Sequence, residues 1–285
     1  MPDIDVSDLP SAASFRSALI DRGAILIRNV VPPDVIGALS AAVGRMFDHF
    51  EGIPKASLER GRDVEAPERR SMWNEIINDG VHYNYDVVVA SRGACSIYDV
   101  IEKSPLGDLV AQAFPNAETS FSHASCVRRM TGEAASAPVY RDDALDAHID
   151  AMVHQRDALV LNCWTPLTDA GIDQPGLAVI PIGIKATLDY VEHRDEGYPT
   201  ENPLNIDGPH MRYFRADKMT SETLAAEGME FWRPQMHPGD VLVFTNYTIH
   251  ATSRAPGMTG SRTSIEARIR IGDAKIGESG LALGF

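Results

Sequence analysis

From residue 121 onward the chain is a succession of short apolar runs, and this pattern constrains the fold more than any other feature. SHASCVRRM, AHIDAMV, ALVLNCWTPL, GLAVIPIG, DVLVFTNY and TSIEARIRI are rich in Val, Ile, Leu and Thr and are punctuated by turn residues. Runs of this length and composition read as strands. The preceding part has a different texture. SAASFRSALIDRG (11–23) places apolar residues at helical spacing and ends on Gly23, a C-cap residue. AILIR (24–28) is short and β-like, and Pro32 and Pro33 then open the amphipathic stretch PDVIGALSAAVGRMFDHF. SPLGDLVAQAF (104–114) reads as a further helix with Ser104 as its cap. Helices come first and strands follow, without βαβ alternation. That order predicts a mainly β fold with flanking α-helices, an antiparallel sandwich or barrel and not a Rossmann-type sheet.

The 285 residues fit one domain over 1–285, with 1–120 mainly helical and 121–285 forming the β core. Residues 51–75 are charged and weakly periodic, a loop or an exposed helix. Between Gly183 and His237 lies a polar interval containing EHRDEGYPTENPLNIDGPH. It reads as an insertion, at about 184–235, of loops with a hairpin around MRYFRAD, and such insertions commonly act as lids or binding loops. The net charge of −14 argues against nucleic acid and anionic membrane as partners and says little that is positive. Three widely spaced cysteines without a Cys-x-x-Cys pair argue against a disulfide framework and a thiolate zinc site, and fit a reducing compartment. MPDIDVSDLP lacks the basic and apolar segments of a signal peptide, and no window approaches the roughly 18 apolar residues of a membrane span. A cytoplasmic protein is expected, with the assembly open between monomer and homodimer.

DAHIDAMVH (146–154) sets His148 and Asp150 two positions apart within an apolar run. In a strand, residues i and i+2 share a face, so imidazole and carboxylate would project together. A buried charge needs a partner. The pair is therefore either hydrogen-bonded in the core or half of a metal site. NYTIHATSRAPGMTGSRTSIEARIRI (246–271) offers the other half: His250 just after a strand, then Arg262 and Ser264 on one face of the last strong strand. A guanidinium fork with a neighbouring hydroxyl is a good receptor for a carboxylate, the plainer alternative for Arg262 being a surface ion pair. Two histidines and one carboxylate make the facial triad of non-haem Fe(II) oxygenases, which leaves positions open for a bidentate cosubstrate and O₂.

With these residues the sequence resembles the Fe(II)/2-oxoglutarate-dependent dioxygenases, and within them the phytanoyl-CoA dioxygenase-like family. LIDRGAILIRNVVPPDVIGALSAAV resembles that family's opening helix–strand–helix, and HPGDVLVF with His250 resembles the segment carrying its distal histidine. GLAVIPIGIK resembles the segment that usually reads Gly-x-Leu-x-Val-x-Pro-Gly-Ser-His. The resemblance implies a double-stranded β-helix, or jelly-roll (cupin-like), core with N-terminal helices buttressing one sheet. It implies Fe(II), 2-oxoglutarate and O₂ as cofactor and cosubstrates, and oxidation of an unactivated C–H bond of a small-molecule substrate, most simply hydroxylation, with release of succinate and CO₂. Carried over by position, it makes His148, Asp150 and His250 the iron ligands and Arg262 with Ser264 the clamp on the 2-oxoglutarate C5 carboxylate. It places Asn162 beside the cosubstrate. The chain departs from the family where Pro-Gly-Ser-His has become Pro181-Ile182-Gly183-Ile184, which removes any role of that Ser or His. Because the carboxylate ligand is retained as Asp150, halogenation is not expected.

Other residues are candidates for substrate contact, each with a plainer alternative. His154 would share the face of Asp150 if the strand continued, or be an ordinary half-buried histidine. Arg128 and Arg129 alternate faces, so one points inward toward an anionic substrate or forms an ion pair. Arg268 and Arg270 share the face of Arg262 in an unbroken strand and either add positive potential inside the barrel or pair with acids. VHYNYD, which contains Tyr83 and follows Trp73, lines a pocket or packs a core. Two further function classes stand beside the dioxygenase: a jelly-roll metalloenzyme that does not use 2-oxoglutarate (a cupin-type isomerase or a zinc hydrolase), and a non-catalytic binding protein. The first would not need Arg262 with Ser264; the second would not need three intact ligands.

Overall fold

β1 (Asp5–Val6) and β2 (Ala24–Ile27) pair in parallel, with helix α1 (Ala12–Asp21) crossing between them. The structure is a computed structural model that describes residues 5–51, 80–84, 97–121, 125–130, 144–150, 159–192, 221–253, 255 and 257–272. The Ser11 hydroxyl accepts from the Ser14 N–H and starts α1, a cap worth about 1 kcal/mol. Phe15 and Leu19, on one helical face, are fully buried; side chains of this size contribute about 1.5–3 kcal/mol each when taken from water. Gly23 ends the helix in the left-handed region (φ 75°), where a Cβ would lie 2.6 Å from the Ile182 carbonyl oxygen. Only glycine meets both demands.

Helix α2 (Pro33–Glu51) begins at a proline, as that residue's fixed φ favours, and buries Val35, Ile36, Leu39 and Val43. β3 (Gly80–Asn84), the short α3 (Asp99–Glu102) and α4 (Pro105–Ala113) follow. The Ser104 hydroxyl accepts from the Leu106 N–H and caps α4. Next come β4 (Thr119–Phe121), β5 (Cys126–Met130), β6 (Ala144–His148), β7 (Leu159–Pro166) and β8 (Gly176–Val179). Helices α5 (Ile184–Glu192) and α6 (Ser221–Ala226) precede β9 (Val241–Thr245), β10 (His250–Ser253) and β11 (Arg262–Ile271).

The larger sheet has eight strands, ordered β1-β2-β9-β7-β11-β5-β3 with β4 also paired to β11; the smaller has the order β6-β10-β8. From β6 to β11 successive strands alternate between the two sheets, which is the winding of a jelly roll. Apolar side chains of α1, α2, α3 and α4 form one core with the outer face of the larger sheet, including Ile25, Val243, Leu161 and Ile265. Leu26, Trp164, Leu242 and Phe244 from the larger sheet meet Leu177 and Val179 of the smaller sheet in a second cluster. A third cluster packs Ala147, Ala178, Ile249 and Ala251, on the remaining face of the smaller sheet, against Leu224 of α6 and Phe231. At the rim, Arg28 binds both carboxylate oxygens of Asp5 (2.8 and 2.6 Å) and also Asp240 (2.9 Å), which hold the guanidinium firmly charged. No helix among the described residues is long and apolar enough to cross a membrane.

The mainly β jelly roll with flanking helices agrees with the reading from sequence, and three details differ. AHIDAMV is not one strand: β6 ends at His148, the last residue paired to β10, and Asp150 lies in a 3₁₀ turn. The interval after Gly183 is not all loop, because IKATLDYVE forms α5 and a second short helix, α6, follows the residues left undescribed. β1, β3, β4, β10 and α3 have no counterpart in the sequence reading, being too short or too polar for periodicity to reveal, so His250, read as lying just after a strand, in fact opens one. MRYFRAD and most of 51–75 lie outside the described residues.

Candidate active site

His250 and His148 are brought together by the ladder of the smaller sheet. They are direct partners in the antiparallel β10–β6 pairing, with a register irregularity just beyond, between His250 and Thr252. Their ring centroids lie 4.3 Å apart, and Phe244 packs at 4.8 Å against the His250 ring. His250 Nδ1 lies 3.0 Å from the Thr248 carbonyl oxygen. A carbonyl only accepts, so Nδ1 carries the proton and the Nε2 lone pair faces the site. Asp150 enters from the turn after β6. Its Oδ1 is 3.5 Å from His148 Nε2 and 3.8 Å from His250 Nε2. The ligand atoms of the three residues all lie within 4.8 Å of one another, close enough for one metal ion.

The protonation states suit a cation. Burial, reinforced by the neighbouring His148, pushes the His250 imidazole down to about 4 against the pull of Asp150. Burial alone would raise the Asp150 carboxyl, but Arg268 and the two histidines hold it well below the usual carboxylate range. At neutral pH the site thus offers a neutral imidazole and an anionic carboxylate, the forms that bind metal. His148 is the most open of the three, with its side chain 31% exposed against 6% for each of the others.

β11 carries the rest of the polar interior. Its Ile265, Ala267, Ile269 and Ile271 join the helix-side core, so Arg262, Ser264, Glu266, Arg268 and Arg270 take the opposite face. Arg262 and Ser264 are each 1% exposed. The Arg262 Nη1 donates to the Gly176 carbonyl oxygen at 2.8 Å, and its guanidinium lies 5.3 Å over the Trp164 ring. Gly176 and Val179 pair with Ser253 and His250. The anchored guanidinium is therefore three residues along β8 from the metal-ligand pair, about 10 Å at the usual strand rise. That separation suits a five-carbon dicarboxylate reaching from one to the other.

Asn162, which the resemblance places beside a cosubstrate, is fully buried on β7 and already engaged. Its Nδ2 donates to Asp150 Oδ2 at 2.9 Å, and its Oδ1 accepts from Arg268 Nε at 2.8 Å. Arg268 also binds Asp150 Oδ2 with Nη2 at 3.1 Å and pairs with Glu266. The sequence left Arg268 open between potential and pairing; it is paired, on the candidate ligand itself. The alternation 262, 264, 266, 268, 270 is the signal that could have singled it out. Arg128, partner of Ser264 across the β11–β5 ladder, reaches to within 3.4 Å of the Thr252 hydroxyl on β10. The backbone of Tyr83 lies in β3 opposite Val127, and His154 falls outside the described residues.

The chain matches the phytanoyl-CoA dioxygenase (PhyH) family over residues 20–259. It belongs to that family. No curated protein matches the chain in sequence. Among solved structures, AviO1 from Streptomyces viridochromogenes Tue57 is 15% identical with a TM-score of 0.53, and the match covers 92% of this chain and 96% of that one. The non-heme alpha ketoglutarate dependent carbocyclase SnoK from nogalamycin biosynthesis is 14% identical with a TM-score of 0.53, covering 93% and 87%. The epimerase SnoN, solved in complex with Fe3+, alpha ketoglutarate and nogalamycin RO, is 11% identical with a TM-score of 0.50, covering 90% and 82%. At these identities the likeness shows a shared fold.

The donor set of His148, Asp150 and His250 is two imidazoles and a carboxylate, which fits iron. Within the departing segment Pro181-Ile182-Gly183-Ile184, packing disfavours a side chain at Gly183. A Cβ at Gly183 would lie 2.8 Å from the Ile20 carbonyl oxygen and 2.9 Å from that of Asp21, so the segment abuts the end of α1.

Proposed function

We propose that the chain is an iron(II)- and 2-oxoglutarate-dependent dioxygenase that hydroxylates an unactivated C–H bond of a small organic molecule, with succinate and CO₂ as co-products. The observation that carries this reading is the pairing of two features inside one jelly roll. The His148–Asp150–His250 cluster lies at one end, and the buried Arg262 with Ser264 lies about 10 Å along β8. A metalloenzyme that did not use 2-oxoglutarate would have no need of a buried arginine at that distance.

In this reading His148, Asp150 and His250 hold Fe(II), and Arg262 with Ser264 receives the C5 carboxylate of 2-oxoglutarate. The bound iron, with the keto acid and O₂, supplies the oxidising power for C–H cleavage. The chain's own residues do the rest. His250 is held by the Thr248 carbonyl with its Nε2 facing the site, and the Phe244 ring packs against it. Trp164, Leu177 and Val179 contribute apolar wall between the sheets, which keeps water from competing for the site. Arg128 spans from β5 to Thr252, a cation near the path between clamp and metal cluster, and is assigned to an anionic group of the substrate.

Anaerobic addition of Fe(II) and 2-oxoglutarate tests the first part: a weak visible charge-transfer band is expected, followed by succinate release under O₂. Absence of both would sink the reading. Product analysis tests the second part. A product gaining one oxygen supports hydroxylation, whereas an isomer, or a product lacking two hydrogens, assigns the chemistry to stereoinversion, desaturation or ring closure.

A further inference from the structure

We propose that Arg268 and Asn162 are positioning residues that hold Asp150 so that it presents only Oδ1 to a metal ion. This rests on the reading of His148, Asp150 and His250 as a metal site. Asp150 needs such a device because its backbone is not held by strand pairing. β6 stops at His148, and the carboxylate stands in a 3₁₀ turn. What fixes the side chain comes instead from the facing sheet.

The two carboxylate oxygens do different things. Oδ1 faces the Nε2 atoms of both histidines, at 3.5 and 3.8 Å. Oδ2 accepts from Asn162 Nδ2 at 2.9 Å and from Arg268 Nη2 at 3.1 Å. These two donors are themselves linked. Asn162 and Arg268 are direct partners in the β7–β11 ladder, and Arg268 Nε donates to Asn162 Oδ1 at 2.8 Å. Arg268 is further held by Glu266 through its side chain and by the Ser125 hydroxyl through its backbone N–H. The result is a closed triangle in which Arg268 and Asn162 stand on two adjacent strands and Asp150 meets them from the turn after β6.

The arrangement bears on how many coordination positions stay open. A carboxylate with both oxygens unengaged can chelate a metal and take two positions. With Oδ2 committed, Asp150 takes one, and the two histidines take two more. The three that remain are what a bidentate keto acid and O₂ together require. Partners of this kind typically change metal affinity by about 10- to 100-fold.

The test uses the full-length protein with Mn(II) for affinity and Co(II) for its visible ligand-field spectrum, so that turnover is not the readout. Arg268→Met is expected to weaken Mn(II) binding by about 10- to 100-fold and to change the Co(II) spectrum. Arg268→Lys should restore part of the affinity, since it keeps the positive charge but lacks the planar fork that reaches Asp150 and Asn162 from two separate nitrogens. Unchanged affinity with a superimposable Co(II) spectrum overturns the proposal. So does a loss of affinity that only parallels a loss of thermal stability in the metal-free protein and is not relieved by lysine. Should Arg268→Met fail to fold, Asn162→Ala decides: weakened Mn(II) binding with an altered Co(II) spectrum supports the proposal, and wild-type behaviour overturns it. If the wild-type protein binds neither ion, the metal-site reading itself falls, and the proposal with it.

Discussion

His148 and His250 stand directly opposite one another across the β6–β10 ladder, their ring centroids 4.3 Å apart. Two of the three proposed metal ligands thus come from one cross-strand pair. Neighbouring strands fix such a pair to within the spacing of a single ladder step, so the ring separation is set before any metal arrives. Asp150, the third candidate donor, is two residues past the end of that ladder and is held from the other sheet.

Removing the third donor should be decisive. Asp150→Ala is expected to abolish iron-dependent succinate release and to weaken Mn(II) binding by more than the roughly 100-fold typical of an outer partner. Calorimetric titration of the metal-free protein measures this directly. Binding within tenfold of wild type would remove Asp150 from the site.

Arg262, the proposed carboxylate clamp, lies at the opposite end, and its substitution should separate cleanly from the metal. Arg262→Ala is expected to weaken 2-oxoglutarate binding by about 1.5–3 kcal/mol, roughly ten- to a hundredfold, since hydrogen bonds to charged groups have that worth. Mn(II) affinity measured without 2-oxoglutarate should be unchanged. Equal losses of both would mean the substitution disturbs the fold and not a clamp.

The metal-free protein should weaken in mild acid. The His250 imidazole titrates near 4 when folded but at its ordinary value near 6.5 when unfolded. Unfolding therefore takes up a proton once the pH drops below about 6.5, and stability falls toward pH 4 by up to about 1.4 kcal/mol per unit from this residue. Above pH 6.5 it contributes no slope. Asp150, depressed by Arg268, adds its own loss only at lower pH, as the medium falls below its unfolded value. Urea denaturation from pH 8 to 4.5 should show the decline, and His250→Gln should flatten it; an identical slope in the variant would be contrary to this account.

The contact between α1 and the segment 181–184 should tolerate no side chain at Gly23. Gly23→Ala is expected to cost at least the 1–2 kcal/mol or so of a left-handed residue, before any clash with the Ile182 carbonyl. Thermal melting reads this, and a melting point equal to wild type would show that the helix end is looser than described. Gly37, in the α2 helix with open space around it, is the control: Gly37→Ala should be neutral or stabilising.

Much of this molecule is legible in its sequence, for identifiable reasons. TSIEARIRI and DVLVFTNY alternate or cluster apolar residues strongly enough to be strands on any reading, and Ser11, Gly23 and Ser104 mark helix ends by local chemistry. His148, His250, Arg262 and Ser264 are visible because their order and types match a metal-and-carboxylate site. The strand end at His148 is not visible, since Ile149 and Ala151 continue the apolar pattern while pairing has already stopped. Nor is the link from Arg268 to Asp150, because it depends on two strands from one sheet facing a turn from the other. α5 was hidden for a different reason: IKATLDYVE opens a long polar interval whose average character is that of a loop.

β11 holds the proposed carboxylate receptor at its first residue and the partner of Asp150 at its seventh, with five polar side chains on one face and four apolar ones on the other. Because the face a strand residue occupies depends only on odd or even count, adding or removing a single residue inside this stretch would exchange the two sets. Arginines and glutamate would then press into the helix-side core, and isoleucines would line the cavity. The segment is thus written in a reading frame of two: it can absorb substitutions one position at a time, but not a change of length.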